Sequence, residues 1–241
     1  MVQFSGSGGP PSAGNTVPGG HAAYDRTIEE GDDMAQPVRD EARTNGARRG
    51  RPGYDQETLL GVCVDVFNQH GYDATSMGML AEALGITKSA IYHHVKSKEE
   101  LLSLSLDRAL TRLDQVVEDA RTTEGPARTR LEVLIRGSVR ALVEERPYVT
   151  LLLRLRGNSE VELAAQERRR GLTKEMEARV AYAQSEGAVR RDLSPRHLAR
   201  LIYGMINSLV DWYRPDRDAA DTVADAILAI LFEGILVRAG S

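Results

Sequence analysis

Cysteine is almost missing from this 241-residue chain: Cys63 stands alone, which excludes a disulfide within the chain and any cysteine-rich zinc or iron–sulfur centre. A reducing compartment is therefore expected. Aromatic residues are scarce at 5%, and with them goes much of the usual material of β-sheets; alanine, leucine, arginine and glutamate prevail instead, a mixture that favours helix. There is no run of 18 apolar residues and no basic segment followed by an apolar stretch at the start. Neither a membrane span nor a secretion signal is indicated, and a cytoplasmic protein is expected. Positive charge is in deficit as well. With 31 Lys and Arg against 35 Asp and Glu the net charge is −4, which argues against a protein that coats nucleic acid through bulk charge.

Glycine and proline crowd the first 48 residues, as in Gly8-Gly9-Pro10-Pro11 and Pro18-Gly19-Gly20, with almost no periodic apolar positions. Such a segment has too little apolar surface to offset its ordering entropy, so residues 1–48 are expected to be a disordered tail, within which Met34 offers a second translation start. From Asp55 the apolar period becomes 3.6. Leu59, Cys63, Val66 and Phe67 share a face and Gly71 closes a helix over about 55–70. Thr75 or Ser76 caps a short second helix through Met79, Leu80 and Ala83 that ends at Gly85, and Thr87 caps a third through Ile91 to His93. Ser97 and Glu100 form a capping box at the start of a long fourth. Leu131, Leu134, Ile135, Ser138, Val139, Leu142 and Val143 then mark a helix bounded by Pro126 and Pro147, and Val149–Leu153 reads as a buried helical turn or two. A charged helix covers 159–186, one more runs from Ser194-Pro195 to about Tyr213, and the last runs from Asp218 through Ile235. The expected fold is all-α with about nine helices and no strand. A three-helix domain over 49–105 precedes a larger helical one over 106–241.

The second and third helices have the dimensions of a helix-turn-helix. Ala81 is small where the helices cross, Gly85 supplies the positive φ the turn requires, and Ile86 and Ile91 anchor the third helix. Thr87, Lys88, Ser89, Ala90, Tyr92 and His93 then face outward, short or hydrogen-bonding side chains suited to a major-groove edge and its phosphates. Lys98 stands at the N-terminus of the fourth helix, which also favours a phosphate. Between Ile86 and Lys98 there are three lysines and no acid, inside an acidic chain. Arg48-Arg49-Gly50-Arg51 adds a basic arm, whose Arg49 and Arg51 suit a minor groove. His93 and His94 are adjacent, so their side chains point about 100° apart on a helix and make no metal pair. No metal or cofactor is expected. Nor is an enzyme, since the chain has no nucleophile elbow, phosphate-binding glycine loop or paired acid and base.

The stretches Gly71-Tyr72-Asp73-Ala74-Thr75-Ser76 and Leu80-Ala81-Glu82-Ala83-Leu84-Gly85-Ile86-Thr87-Lys88-Ser89-Ala90-Ile91-Tyr92-His93-His94 through Leu101 resemble the N-terminal signature of the TetR/AcrR family of bacterial transcriptional regulators. The resemblance covers about 55–105. It implies that Thr75, Ser76, Thr87, Lys88, Ser89, Ala90, Tyr92, His93 and Lys98 contact DNA, with Tyr92 and Lys98 on phosphates. Val95 departs from it, standing where an aromatic is more common.

Farther on, Gly204–Pro215 resembles a subgroup that senses acyl-coenzyme A thioesters, and Tyr148–Arg154 with Glu167–Arg170 resemble the actinobacterial phenylacetate-pathway repressors. This implies a homodimeric repressor on a palindromic operator, released by an effector such as phenylacetyl-coenzyme A. Arg154, Arg169, Arg170, Asn207 and Trp212 are the ligand-binding residues it suggests. Plainer roles stand beside these: a solvated face for Arg168-Arg169-Arg170, a backbone partner for the Asn207 amide, and core or dimer packing for Trp212. Two other functions also stand, an all-α enzyme acting on acyl-coenzyme A, and a regulator of efflux or another catabolic pathway that senses a hydrophobic molecule without coenzyme A. Helices 195–213 and 219–238 are apolar on more than one face, so one face can close a pocket while the other packs on a second subunit.

Overall fold

The hydroxyls expected to cap helices do so. In the computed structural model, which describes residues 55–234, Ser76, Thr87, Ser97 and Ser194 each accept the backbone N–H three residues on, at 3.1 to 3.2 Å, filling one of the four N–H groups a helix start leaves unpaired. The helices are α1 Gln56–His70, α2 Met77–Leu84, α3 Lys88–Tyr92, α4 Lys98–Thr122, α5 Ala127–Glu144, α6 Arg146–Leu153, α7 Glu160–Ser185, α8 Pro195–Asn207, α9 Leu209–Trp212 and α10 Ala220–Glu233. The described residues contain no strand. The expected tail over 1–48, with Arg49 and Arg51 just after it, lies outside the described residues.

Three boundaries differ from the expectation, each for a local reason. Pro147 does not stop α5; that helix has ended at Glu144, and Pro147 opens α6, where its missing N–H has no partner to lose. The helix expected to run to Tyr213 breaks at Ser208, whose hydroxyl donates to the Met205 carbonyl at 2.7 Å, a back-bond that bends a helix. Counting α8 and α9 apart gives ten helices among the described residues, one more than expected. The last helix starts at Ala220, not Asp218, because Asp218 closes a turn onto the Arg214 carbonyl and accepts the Tyr213 hydroxyl at 2.8 Å.

One continuous core runs from Leu59 on α1 to Leu228 on α10. The boundary expected at 105/106 falls inside α4, which passes unbroken from the α1–α3 head into the body. In the body α4 and α5 cross tightly at Gly137, where an added Cβ would stand 2.5 Å from Val116 Cγ1. Val116 is buried and stiff at χ1. Gly137→Ala gains about 1 kcal/mol of helix propensity but must part the two helices, an overpacking cost of about 1–3 kcal/mol. We expect a net loss near 1 kcal/mol in urea unfolding, and a double variant with Val116→Ala that loses less than the two single losses combined. A more stable Gly137→Ala would show that the crossing has slack.

Candidate functional site

The head presents one polar face. α2 ends in a Schellman turn: Gly85 takes φ 64°, its N–H reaches the Glu82 carbonyl at 3.0 Å, and the Ile86 N–H reaches that of Ala81 at 3.1 Å. That turn aims α3 outward while Ile91, fully buried, pins it to the core. Ser76, Thr87, Lys88, Ser89, Tyr92 and His93 are exposed on this face and Ala90 is half-buried. Tyr92 is 50% exposed, unusual for a side chain of its size. Lys88 lies along Gly78 of α2, so its ammonium stands between the two helices.

Two residues expected to touch DNA make hydrogen bonds within the head. Thr75 is buried, and its hydroxyl donates to the Gly71 carbonyl at 2.8 Å, closing the α1–α2 corner. Lys98 folds back on the same corner. Its ammonium donates to the Tyr72 and Thr75 carbonyls, both at 2.8 Å, and sits 4.3 Å from the Tyr72 ring centroid. Tyr72 in turn meets Phe67 edge-on. The corner that carries the reading helices is thus locked by a lysine whose carbonyl partners are remote in sequence.

A second feature lies in the body, a partly open cavity of about 310 Å³ lined by α4, α5, α6, α7 and α8. Its wall is aliphatic, with Leu113, Leu142, Val149, Leu152, Leu172 and Ile206. Polar groups are few: Ser138, Thr173, Tyr203 and Asn207, with the guanidinium-bearing Arg169 and Arg200. Arg200 is exposed and Arg169 half-buried, its Nη1 3.3 Å from the Leu152 carbonyl. Burial pushes the Tyr203 phenol up to about 12, the nearby Ser138 hydroxyl pulling the other way. Few convergent polar groups in a mostly apolar hollow are the ordinary make-up of a small-molecule site.

Of the ligand residues suggested by the sequence, Arg169 and Asn207 reach this cavity and three do not. Arg154 points elsewhere, to the Asn68 carbonyl at 2.8 Å. Arg170 is exposed and pairs with Glu167. Trp212 is 50% exposed on α9, its indole N–H on Ser208 Oγ at 3.1 Å. Arg168 bridges Asp107 and Asp114 on α4 at 2.6 and 2.7 Å, which holds its guanidinium above the ordinary range. Ser138, Tyr203 and Arg200 were not singled out by sequence reasoning. The one signal for them was a serine on the apolar face of α5, a position a core helix fills with a hydrocarbon.

Head and body meet along α6. One face of α6 lines the cavity through Val149 and Leu152. Beside its other end Asn68 of α1 donates to the Pro147 carbonyl at 2.8 Å, and in the following loop Asn158 donates to Asp73 at 2.9 Å. The loop itself is held by the buried Glu162 carboxylate, which accepts the N–H groups of Arg156, Gly157 and Asn158.

Comparison with known proteins agrees with this layout. Residues 59–103 match the family model for bacterial regulatory proteins of the tetR family, and 124–235 that for the tetracyclin repressor-like C-terminal domain. The solved structure of SCO3833, a TetR regulator from Streptomyces coelicolor A3, is 47% identical with a TM-score of 0.70, covering 76% of this chain and 92% of that one. The repressor KstR2 of Rhodococcus jostii is 27% identical over 211 residues, 84% of this chain and 98% of its own. AibR, solved with isovaleryl coenzyme A and operator DNA, shares the fold at 23% identity and a TM-score of 0.63, over 73% of this chain and 97% of that one. Among the described residues no helix is long and apolar enough to cross a membrane. A helix-turn-helix head carrying a basic reading face and a helical body with a ligand-sized cavity are thus the two halves of one known plan, and the chain belongs to the TetR family of bacterial transcriptional regulators, DNA-binding repressors that answer to small molecules and are not enzymes.

Proposed function

We propose that this protein is a homodimeric repressor of a palindromic operator, released by an acyl-coenzyme A thioester, with phenylacetyl-coenzyme A the first candidate. In this reading 49–105 reads DNA and 106–241 binds ligand and dimerises. The observation that carries the effector reading is the cavity's composition, an aliphatic hollow suited to an acyl group, with Arg169 and Arg200 at hand for phosphates. AibR shows that the same fold can be solved with a coenzyme A thioester and with DNA.

Leu201 on α8, Trp212 on α9 and Ile230 on α10 are 61%, 50% and 46% exposed. Large apolar side chains left bare along consecutive helices suit a face that a second copy covers. Dimerisation then sets two copies of α3 about 34–36 Å apart, one turn of DNA. Ser76, Thr87, Lys88, Ser89, Ala90, Tyr92 and His93 form the DNA face, with Arg49 and Arg51 as a minor-groove arm. Ligand in the cavity presses on α4 through Leu113 and on α6 through Val149 and Leu152, both of which lead to the head. To carry occupancy from 99:1 to 1:99 it must favour the released state by about 5.5 kcal/mol.

The test is a fluorescently labelled fragment of the upstream region of the protein's own gene, bound by the full chain and titrated with acyl-coenzyme A thioesters. Phenylacetyl-coenzyme A is expected to release the DNA at micromolar concentration, and Arg169→Gln with Arg200→Gln to raise the concentration needed about tenfold, as loss of charge-assisted phosphate contacts requires. DNA bound but freed by no thioester would favour the second reading, a hydrophobic effector without coenzyme A, which the aliphatic wall also suits.

A further inference from the structure

The cavity holds one group that the folded chain leaves without a partner. Ser138 Oγ, on the inner face of α5, is buried, the residue being 2% exposed, and makes no hydrogen bond. A serine inside a helix ordinarily bonds back to the carbonyl four residues before it, as Ser105 does to Leu101 at 2.6 Å in α4. Ser138 does not. The Tyr203 hydroxyl lines the same cavity and lies near enough to feel Ser138, but no hydrogen bond of ordinary length and angle joins the two; with Leu142 one turn on, the buried oxygen is left unpaired, which is costly.

Size gives a second, independent limit. An apolar cavity of about 150 Å³ takes one benzene. A hollow of about 310 Å³, about twice that volume, has room for one or two rings or a short chain together with the carbonyl that bears it, and not for the whole of a long acyl chain.

We infer that the cavity selects a short acyl group or one of one or two rings, and that the Ser138 hydroxyl is its specificity determinant, donating a hydrogen bond to the acyl carbonyl. This deepens the thioester reading above and rests on it. The orphan hydroxyl is a site held open at some cost to the empty protein and satisfied when the effector enters, so affinity and stability respond to its removal with opposite signs. Leu113 and Leu152 take the hydrocarbon on either side.

Calorimetric titration of the full chain with acetyl-, hexanoyl-, phenylacetyl- and palmitoyl-coenzyme A tests both parts. Hexanoyl and phenylacetyl thioesters are expected to bind at least about tenfold more tightly than acetyl, which forgoes most of the apolar burial, and than palmitoyl, which does not fit. Ser138→Ala is expected to weaken phenylacetyl-coenzyme A about fivefold while leaving the melting temperature of the ligand-free protein equal or higher. Palmitoyl binding as tight as phenylacetyl, or a Ser138→Ala protein with lowered melting temperature and unchanged affinity, overturns the inference and leaves the thioester reading standing. No binding by any of the four overturns both.

Discussion

Lys88→Ala in the full chain weakens operator binding by about 1–3 kcal/mol per half-site, and a dimer carries the loss twice. The argument begins with where Lys88 stands. It is the first residue of α3, exposed, directly after the Thr87 cap, and flanked by no acidic side chain between Ile86 and Lys98. The core gains nothing from it, so the variant should melt at the wild-type temperature. If Lys88 meets a phosphate, the slope of log affinity against log salt falls by about one unit per subunit, close to two for the dimer. Exposed Lys174 on α7 supplies the control: Lys174→Ala removes the same charge far from the reading face and should leave the salt slope unchanged. Tyr92→Ala tests the other end of the helix, with an expected loss of similar size from one phosphate hydrogen bond and the contact of its ring. Wild-type binding by both variants would remove α3 from the role of reading helix.

That face was legible in the sequence because each step was local. A cap, a glycine that must take positive φ, a buried isoleucine and a run without acids all lie within about 20 residues, and Ser76, Gly85, Thr87 and Ile91 stand where the pattern required. The cavity was not legible in the same way. Its lining comes from five helices, and adjacent arginines on one helix diverge by about 100°, so Arg168, Arg169 and Arg170 go respectively to α4, the cavity and solvent. What Arg154 and Thr75 bind within the chain was hidden for a related reason. Their partners, the Asn68 and Gly71 carbonyls, are backbone groups, and no side-chain pattern announces which carbonyl a turn will leave free. Ser138 could have been found, as the polar exception on an apolar stripe, but the stripe's periodicity absorbed it.

The same difficulty makes Lys98 the sharpest case, and Lys98→Met is expected to cost about 3 kcal/mol of stability. Family resemblance puts this lysine on a DNA phosphate; in the free chain its ammonium is already committed to the Tyr72 and Thr75 carbonyls and the Tyr72 ring. A hydrogen bond from a charged donor is worth about 1.5–3 kcal/mol and a partly exposed cation–π contact about 0.5–1 kcal/mol. Methionine keeps the stem and loses all three; because the ammonium is only half-buried and the freed carbonyls regain water, the net loss falls just under the low end of their sum, at about 3 kcal/mol. With about 2–4 °C per kcal/mol for a domain of this size, the melting temperature should fall by roughly 6–12 °C. An ammonium has three protons, and the corner uses two, so one remains for a phosphate. The two roles separate by temperature. Well below its melting point the variant is folded, and any affinity still missing there belongs to the phosphate, whereas affinity that returns on cooling belongs to the corner that aims α2 and α3. Lys98→Arg, which keeps the charge but changes its reach, should recover part of the DNA binding and less of the stability, because the fork that suits a phosphate does not match two carbonyls placed for a single point. A Lys98→Met protein that melts normally yet fails to bind DNA would return this residue to the phosphate alone.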